Sequence, residues 1–325
     1  MQGKVMPNEA ESEVYVGIDV CKAWLDVYLH PIGQITRVAN SEAGLKALRR
    51  TLAAHPVTLV AIEATGKLHR LAHRVLHARG FRVAIVNPYR ARRFADVLGE
   101  LAKTDAIDAR VLALFAAMHN PRATPPAADQ LAALQEIVRA RQAAVAEAVA
   151  LANRKASCES RFLEAELIRR LDEMKGHIKR LEGEIRRLIA GDPALARRFA
   201  ILTSIPGIGT IVAASLVAGL AEIGTLGAKQ IAALAGLAPM NRDSGERRGQ
   251  RHIKGGRAHV RTALYFAAVT AVRKDSAFAS FARRLEGVGK APKLILAAVM
   301  RKLLVLANTL IAQNRTWSPL PPASA

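Results

Sequence analysis

Cysteine is almost absent from this chain of 325 residues, in which Cys21 and Cys158 are the only two. They lie far apart in sequence, so they provide neither a disulfide framework nor the paired spacing of a zinc site. Aromatic residues are also scarce, at 4% of the chain against 51% for all hydrophobic residues. The cores are therefore expected to consist mainly of Ala, Leu, Val and Ile.

Long uncharged apolar runs are lacking as well. The stretch 211–221 is too short to span a bilayer, and the stretch 294–312 carries Arg301 and Lys302 in its middle. The first residues are polar and acidic, without the positive and then apolar order of an export signal. These features argue against a membrane protein and predict a cytoplasmic one.

Acidic residues are outnumbered: 27 Asp and Glu stand against 48 Lys and Arg, which gives a net charge of +21 and a pI near 10.9. Such an excess causes self-repulsion in the folded state, and an anionic partner relieves it. Nucleic acid is the commonest partner of this kind, and an anionic membrane surface is the second. The composition therefore predicts nucleic-acid binding, with the bacterial nucleoid as the place of action.

Residues 1–125 show a pattern of strands followed by alternating helices and strands. Short links between the first three β-rich runs predict antiparallel neighbours, because a parallel return needs a longer crossover. Ser41 is the expected N-cap of the first helix. The order β-β-β-α-β-α-β-α is that of a ribonuclease-H-like α/β fold, a mixed sheet with helices on its faces. The predicted strands are 14–22, 24–31, 34–40, 57–64 and 81–88, and the predicted helices are 41–54, 67–79, 89–99 and 104–119.

A proline-rich break at 120–128 predicts a domain boundary. The next region, 126–195, has the composition of long helices and is interpreted as a helical hairpin or coiled-coil linker, with Gly176 and Gly183 as its weak points. Its basic side chains are interpreted as a solvated face.

Residues 196–315 are expected to form a mainly helical domain, and the tail 316–325 to be disordered. The segment SIPGIG at 204–209 resembles the hairpin of helix-hairpin-helix modules that bind DNA. Gly207 and Gly209 would let the backbone approach a phosphate at a helix N-terminus, although the same pattern also serves as an ordinary turn between helices.

A set of acids lies where the predicted fold would bring them together: Asp19 in the first strand, Glu63 at the end of the fourth, and Asp105 and Asp108 at the start of a helix. Four converging carboxylates repel one another unless divalent cations lie between them, and oxygen ligands favour Mg²⁺ or Mn²⁺. Two ions held there would clamp a phosphodiester. Asp105 as a helix cap and Asp108 as a first-turn acid are the alternatives. Asp26, Asp96 and Glu100 are interpreted as surface charges.

A basic segment at 236–268 contains the second candidate site. Ser244, followed by glycine in a loop, is a candidate nucleophile that would form a phosphoserine ester with DNA. On composition alone, a plain turn in a basic DNA-binding loop is the simpler interpretation. The candidate phosphate contacts are Arg242, Arg247, Arg248, Arg251, Lys254, Arg257 and Arg261.

In order along the chain, the motifs GIDVCK, AIEATG, KTDAIDA, SIPGIGTIVAASLVAGL and GLAP…DSGERRG…IKGGR resemble the insertion-sequence 110 family of transposases, the DEDD transposases. The resemblance implies a RuvC-like metal site of Asp19, Glu63, Asp105 and Asp108, with Ser244 as the nucleophile of a C-terminal transposase domain. It also implies donor and target DNA chosen by a bridge RNA, and tetramers built from dimers, in which one subunit's serine completes another's carboxylate site. Cys21 stands where the family often has serine and is expected to be a buried, redox-inert thiol. Lys22 beside it is a candidate phosphate contact.

Three rival interpretations use the same residues. A hydrolytic nuclease of the Holliday-junction type would use a metal-bound water in place of Ser244. An actin-like sugar kinase or ATPase shares the fold, but Cys21-Lys22 stands where its glycine-rich phosphate turn would lie. A nucleic-acid-binding protein without a working metal site is the third.

Overall fold

The computed structural model describes residues 13–100, 104–240, 249, 251–273 and 277–318, with backbone only for Asp105 and Ala106. The chain divides into two compact units, an N-terminal unit of residues 1–127 and a C-terminal unit of residues 128–325. The predicted finer division at residues 125, 195 and 315 stays a prediction.

The N-terminal unit contains a five-stranded mixed sheet with the order β3-β2-β1-β4-β5. Its first three strands form an antiparallel meander, while β4 and β5 continue in parallel with β1. The predicted mixed α/β sheet is therefore confirmed, including the antiparallel pairing that the short links required. The strands are β1 (Val14–Val20), β2 (Trp24–His30), β3 (Gln34–Ala39), β4 (Val57–Glu63) and β5 (Val83–Val86).

Four helices cover the two faces of this sheet: α1 (Glu42–Ala53), α2 (His69–His77), α3 (Pro88–Val97) and α4 (Asp105–His119). Ser41 caps α1 as predicted, since its hydroxyl accepts a hydrogen bond from the Gly44 amide. Val16 and Ile18 of β1 point into a core shared with α1 and α2. The opposite face, where the alternate residues of each strand point, packs against α3 and α4.

Gly17 sets how closely α4 lies on the sheet. A methyl group at Gly17 would overlap the backbone of Ala109 and Ala113 on α4. The helix can therefore cross β1 at this distance only because the strand has no side chain there. This contact places the first turn of α4, with Asp108, on the sheet face that also carries Asp19.

The C-terminal unit is mainly helical. It contains α5 (Asp129–Ala156), α6 (Arg161–Ala190), α7 (Pro193–Thr203), α8 (Thr210–Gly219), α9 (Ala228–Leu234), α10 (Ala258–Arg273), α11 (Ala277–Gly287) and α12 (Pro292–Ala312), together with a two-stranded ribbon of β6 (Pro239–Met240) and β7 (His252–Ile253).

The helices α5 and α6 form the predicted hairpin, but the break falls at 157–160, where Ser160 caps α6, and not at Gly176 or Gly183. Each glycine costs only about 1 kcal/mol inside a helix, and the other residues of the 30-residue helix α6 stabilise it enough to offset this cost. The basic residues of the hairpin are not all solvated, because Arg141 forms an ion pair of 2.7 Å with Glu182 on α6. A coiled-coil character of the hairpin stays a prediction.

The base of the hairpin belongs to the core of the C-terminal unit, where Leu134 of α5 and Ile185 of α6 join α7, α8, α10 and α12. Among the described helices, α12 is the one long and apolar enough to cross a membrane by length and composition. Its Val299, Leu303 and Leu304 are fully buried in the core of the C-terminal unit.

The expected disorder of the tail is wrong for residues 316–318. Trp317 packs against the core, and its amide donates a hydrogen bond of 2.8 Å to the Ser204 hydroxyl. Residues 319–325 lie outside the described part of the chain.

Candidate active site

Asp19 and Glu63 lie at neighbouring strand ends. The parallel strands β1 and β4 pair up to Ile18 and Ile62, and the two acids are the next residues on each strand. Because side chains alternate along a strand and Ile18 and Ile62 enter the α1–α2 core, both acids lie on the opposite face, the one covered by α3 and α4. Apolar runs that end in an acid at the same sheet edge therefore explain how the two carboxylates come together.

Asp19, Glu63 and Asp108 line one cavity of about 390 Å³, which α3 closes from the side. Three of the four predicted acids therefore share one site. The same cavity is lined by Thr65, in the turn after β4, and by Arg92 of α3. We call this site the carboxylate pocket.

The fourth acid, Asp105, is the first residue of α4, and its side chain lies outside the described residues. The alternative that Asp105 caps this helix is wrong, because Thr104 is the N-cap and its hydroxyl accepts a hydrogen bond from the Ile107 amide. Because Thr104 already caps α4, N-capping does not explain why residue 105 is an aspartate.

The donor chemistry of the carboxylate pocket fits a hard divalent cation, because its acids offer only oxygen ligands. Across the ranges that the structure describes, however, no three His, Cys, Asp or Glu side chains form a group able to hold a metal ion. Asp105, whose side chain lies outside the described residues, is the remaining acid of the predicted set.

Asp26 is not the surface charge predicted from sequence. It is 6% exposed, and both of its oxygens accept hydrogen bonds from Arg37, at 2.8 and 3.0 Å. Asp26 lies opposite Arg37 on β3 and opposite Asp19 on β1, so the three side chains form one row across the sheet. Sequence reasoning missed this row, although the alternation in WLDVYLH places Asp26 on the same face as Trp24 and Tyr28.

The turn between β1 and β2 carries Cys21 and Lys22, and both are exposed. The expectation of a buried thiol at 21 is wrong. The Cys21 sulfur accepts a hydrogen bond of 3.1 Å from the Trp24 amide, so it organises the turn in place of a serine hydroxyl. Lys22 is accessible to a phosphate, and its predicted role stays a prediction.

The candidate nucleophile Ser244 lies outside the described residues, as do Arg242, Arg247 and Arg248. The ribbon β6–β7, which pairs Pro239 with Ile253 and Met240 with His252, joins the two ends of the segment that contains them. Arg251 and Lys254, just before and after β7, are exposed. Their predicted contacts with nucleic acid stay predictions.

Arg257 has a structural partner that the sequence interpretation did not foresee. Its guanidinium makes two hydrogen bonds of 2.6 and 2.7 Å with the Glu222 carboxylate and a third with the Gly219 carbonyl at the end of α8. Burial would raise the pKa of Glu222, but its hydrogen bonds and ion pair with Arg257 outweigh burial and hold that pKa below the usual value. These contacts tie the start of α10 to the end of α8.

Arg261 also makes internal contacts, since it donates to the carbonyls of Gly255 and Ala235. Gly207 has φ of +91°, and a methyl group there would overlap Ala267 and Ala271 of α10. Gly207 therefore lets the chain approach helix α10 closely, as an ordinary turn between helices would, and its predicted contact with a phosphate stays a prediction. Gly209, the N-cap residue of α8, has open space around it.

Comparison with known proteins finds two transposase family profiles that match this chain. A transposase family profile, DEDD transposase IS110, matches residues 16–158, and a second, the transposase IS116/IS110/IS902 family, matches residues 199–283. A pilin gene-inverting protein of Moraxella bovis is 31% identical over 317 residues, which cover 94% of this chain and 98% of that protein. The pilin gene-inverting protein of Moraxella lacunata matches over the same shares at 31% identity.

A third relative matches a smaller part of the chain. An uncharacterized 44.8 kDa protein of insertion element IS116 from Streptomyces clavuligerus is 28% identical over 164 residues, which are 50% of this chain and 40% of that protein. Since the first profile contains the carboxylate pocket, the second contains Ser244, and the similarity to the Moraxella proteins runs through nearly the whole of both chains, the chain belongs to the IS110 family of transposases, enzymes that rearrange DNA.

Proposed function

We propose that this transposase cuts and rejoins the strands of an insertion element through a phosphoserine intermediate, with Ser244 as nucleophile and Asp19, Glu63, Asp105 and Asp108 as ligands of Mg²⁺ or Mn²⁺. The observation that carries the proposal is the convergence of Asp19, Glu63 and Asp108 on one cavity from separate parts of the chain. Three acids in one cavity need compensation of their charge, and phosphoryl transfer needs positive charge at the same kind of site.

In the proposed reaction, the hydroxyl oxygen of Ser244 attacks a DNA phosphorus. A bond forms between that oxygen and phosphorus, and the bond from phosphorus to the deoxyribose oxygen breaks. The serine proton passes to a neighbouring base, and the departing sugar oxygen takes up a proton. A divalent cation bound to the carboxylates would stabilise the charge on the attacking and leaving oxygens. The phosphoserine ester keeps the bond energy, so the hydroxyl of another strand can reverse the step and rejoin DNA.

The proposal includes a RuvC-like fold for the N-terminal unit, supported by the strand order β3-β2-β1-β4-β5 and by a site at the ends of β1 and β4. It also includes donor and target DNA, a structured guide RNA, and dimers that join into tetramers at the nucleoid. The net charge of +21 supports a nucleic-acid partner, because a polyanion offsets it. The relatives named for pilin gene inversion support a reaction in which cut strands are rejoined.

The proposal is tested by looking for a covalent adduct between the protein and DNA. The purified protein, incubated with Mg²⁺ and plasmid DNA that carries the element ends and their flanks, should give a protein–DNA species that survives denaturation and is released by alkali, as a phosphoserine ester is. Ser244→Ala should remove both the adduct and recombination. Ser280→Ala, an exposed serine of α11, is the matched control and should retain both.

The rival nuclease predicts a different result. If Ser244→Ala still cuts DNA at the wild-type rate and no adduct forms with either protein, the nucleophile is water and the phosphoserine mechanism is wrong. If Ser280→Ala loses the adduct as well, the loss does not belong to residue 244.

A further inference from the structure

Two exposed aromatic rings stand side by side on α10, in a chain with only 4% aromatic residues. Tyr265 is 44% exposed and Phe266 is 61% exposed. Their ring centroids lie 5.7 Å apart with an interplanar angle of 78°. Leaving such apolar surface in water is costly, and aromatic surface that remains exposed commonly marks a binding site.

The two rings form part of a cavity of about 360 Å³ between α10, α12 and β7, which we call the ring pocket. Ile253 and Met300 contribute further apolar lining, and Arg261 and Lys293 contribute positive charge. None of the described residues that line the ring pocket is acidic. Phe266 also lines a second cavity, formed with α5 and α8, so its ring borders two cavities.

Flat aromatic walls combined with cations match the chemistry of a nucleotide. A base stacks on an aromatic ring whatever its sequence, while Lys or Arg binds the phosphate beside it. A second copy of this chain that packed through the same surface is a poorer match, because Arg261 and Lys293 of the two copies would then face each other as like charges. The ring pocket therefore favours a polyanion that carries flat apolar groups.

The ring pocket adjoins the ribbon β6–β7. Ile253 of β7 lines the pocket and pairs with Pro239 of β6, and Ser244 lies in the segment that joins these two strands. A DNA strand held at the ribbon therefore has an aromatic surface close to the two strands that flank the segment containing Ser244. We propose that the ring pocket binds an unstacked base of the DNA strand that Ser244 attacks, an inference that rests on the proposed function.

The test separates stacking from charge. Binding of the full-length protein to a fluorescein-labelled single-stranded DNA is measured by anisotropy, in parallel with the same strand carrying abasic sites, which keeps every phosphate. The wild type should prefer the strand with bases. Phe266→Ala should weaken binding to that strand by about 5- to 150-fold and leave the abasic strand unchanged. Phe266→Trp should restore the preference. Phe162→Ala is the matched control, since Phe162 of α6 is 77% exposed and is not among the residues that line the ring pocket.

Several outcomes would overturn the proposal: equal wild-type binding to both strands, an equal loss in Phe162→Ala, or a preference seen for RNA of the same sequence but not for DNA. A change of sedimentation in Phe266→Ala, with the base preference unaltered, would assign the rings to contact between copies and also overturn it. The assay needs no cleavage and is repeated with Ser244→Ala, so loss of the serine chemistry and failure of base binding are told apart.

Discussion

Asp19 and Asp26 lie directly opposite each other across the antiparallel pair β1–β2, with Arg37 opposite Asp26 on the next strand. Two carboxylates in such a position repel each other, and like charges facing across strands destabilise a sheet. Arg37 offsets this repulsion by donating two hydrogen bonds to Asp26. In this row Asp26 is held by Arg37, and Asp19 lines the carboxylate pocket.

Arg37→Gln should destabilise the protein by about 1–3 kcal/mol, because it leaves the buried Asp26 carboxylate without its charged donor and facing Asp19. Urea denaturation at neutral pH measures the loss. The double variant Asp26→Asn with Arg37→Gln should recover much of it. Arg93→Gln, which removes an exposed ion pair with Asp96, should cost far less. An equal cost for the Arg37 and Arg93 variants would show that the row contributes nothing.

Gly17→Ala should push α4 away from β1, because the added methyl group overlaps the helix backbone. We expect a stability loss of about 1–3 kcal/mol and a larger loss of strand cleavage than of DNA binding, since Asp108 moves with the helix. The measurements are denaturation and cleavage of plasmid DNA.

Gly183→Ala is the control for the Gly17 variant. Gly183 lies inside α6 with nothing near its added methyl group, so this change should stabilise the protein by up to about 1 kcal/mol. A Gly17→Ala protein with wild-type stability and cleavage would mean that α4 does not depend on this close approach.

Asp19→Asn or Glu63→Gln should reduce Mg²⁺-dependent cleavage to background while leaving salt-dependent DNA binding nearly unchanged, because each change removes a charged oxygen ligand from the carboxylate pocket. Gel assays of cleavage and a filter assay of binding measure the two effects. Asp96→Asn, at an exposed acid of α3, is the control and should keep its activity. Parallel loss of binding and cleavage in Asp19→Asn would make Asp19 a structural residue.

Arg257→Gln and Arg251→Gln should separate structural from DNA-binding arginines. Loss of the charged hydrogen bonds between Arg257 and Glu222 should cost about 1–3 kcal/mol of stability and leave the salt dependence of DNA binding unaltered. Arg251→Gln should leave stability unchanged and reduce the slope of log affinity against log salt by about 1. If Arg257→Gln lowers the slope and not the stability, Arg257 is a phosphate contact after all.

Acid should destabilise the N-terminal unit through His73. Burial lowers the pKa of His73 below its ordinary value of 6.5, and the hydrogen bond with the Thr124 carbonyl and the nearby His77 change it less. The folded state therefore binds fewer protons than the unfolded state, so the stabilising contribution is complete above pH 6.5 and is lost as the pH falls towards the lowered pKa.

The loss should be at most about 1.4 kcal/mol per pH unit for each proton taken up. Urea denaturation of the wild type and of His73→Gln between pH 7.5 and 5, about the range in which histidine titrates, measures it. The variant should show a shallower decline than the wild type. Identical slopes would mean that His73 has the same pKa in the folded and unfolded states.

The strands and helices around the carboxylate pocket were predictable because their signals are local. Alternating or continuous apolar runs indicate strands, and Ser41 indicates the start of a helix. The sequence predicts Asp19 inside the first strand and Glu63 at the end of the fourth, whereas the structure ends β1 at Val20 and so places both acids near strand ends. The burial of Asp26 could not be predicted, because it depends on which residue of β3 lies opposite, and that register is a property of the assembled sheet.

For the basic residues too, one property could be predicted from the sequence and another depends on the folded structure. Their number in the sequence predicts a polyanionic partner, but a count of charges does not tell which cation is already paired. Arg257 is paired with a glutamate 35 residues away, whereas Arg251 is exposed, and their positions in the sequence do not distinguish them.

By itself, the sequence determined the net charge, the order of strands and helices in the N-terminal unit, and the presence of one acid in the first strand and another at the end of the fourth. These features depend on composition and on neighbours along the chain. Only the tertiary structure decided that three acids share a cavity and that α4 packs closely against β1 at Gly17. It also decided that Arg257 is paired with Glu222 and that two aromatic rings of α10 remain exposed. Each of these depends on packing between segments that are distant in the chain, and packing is set by the shape of the whole unit.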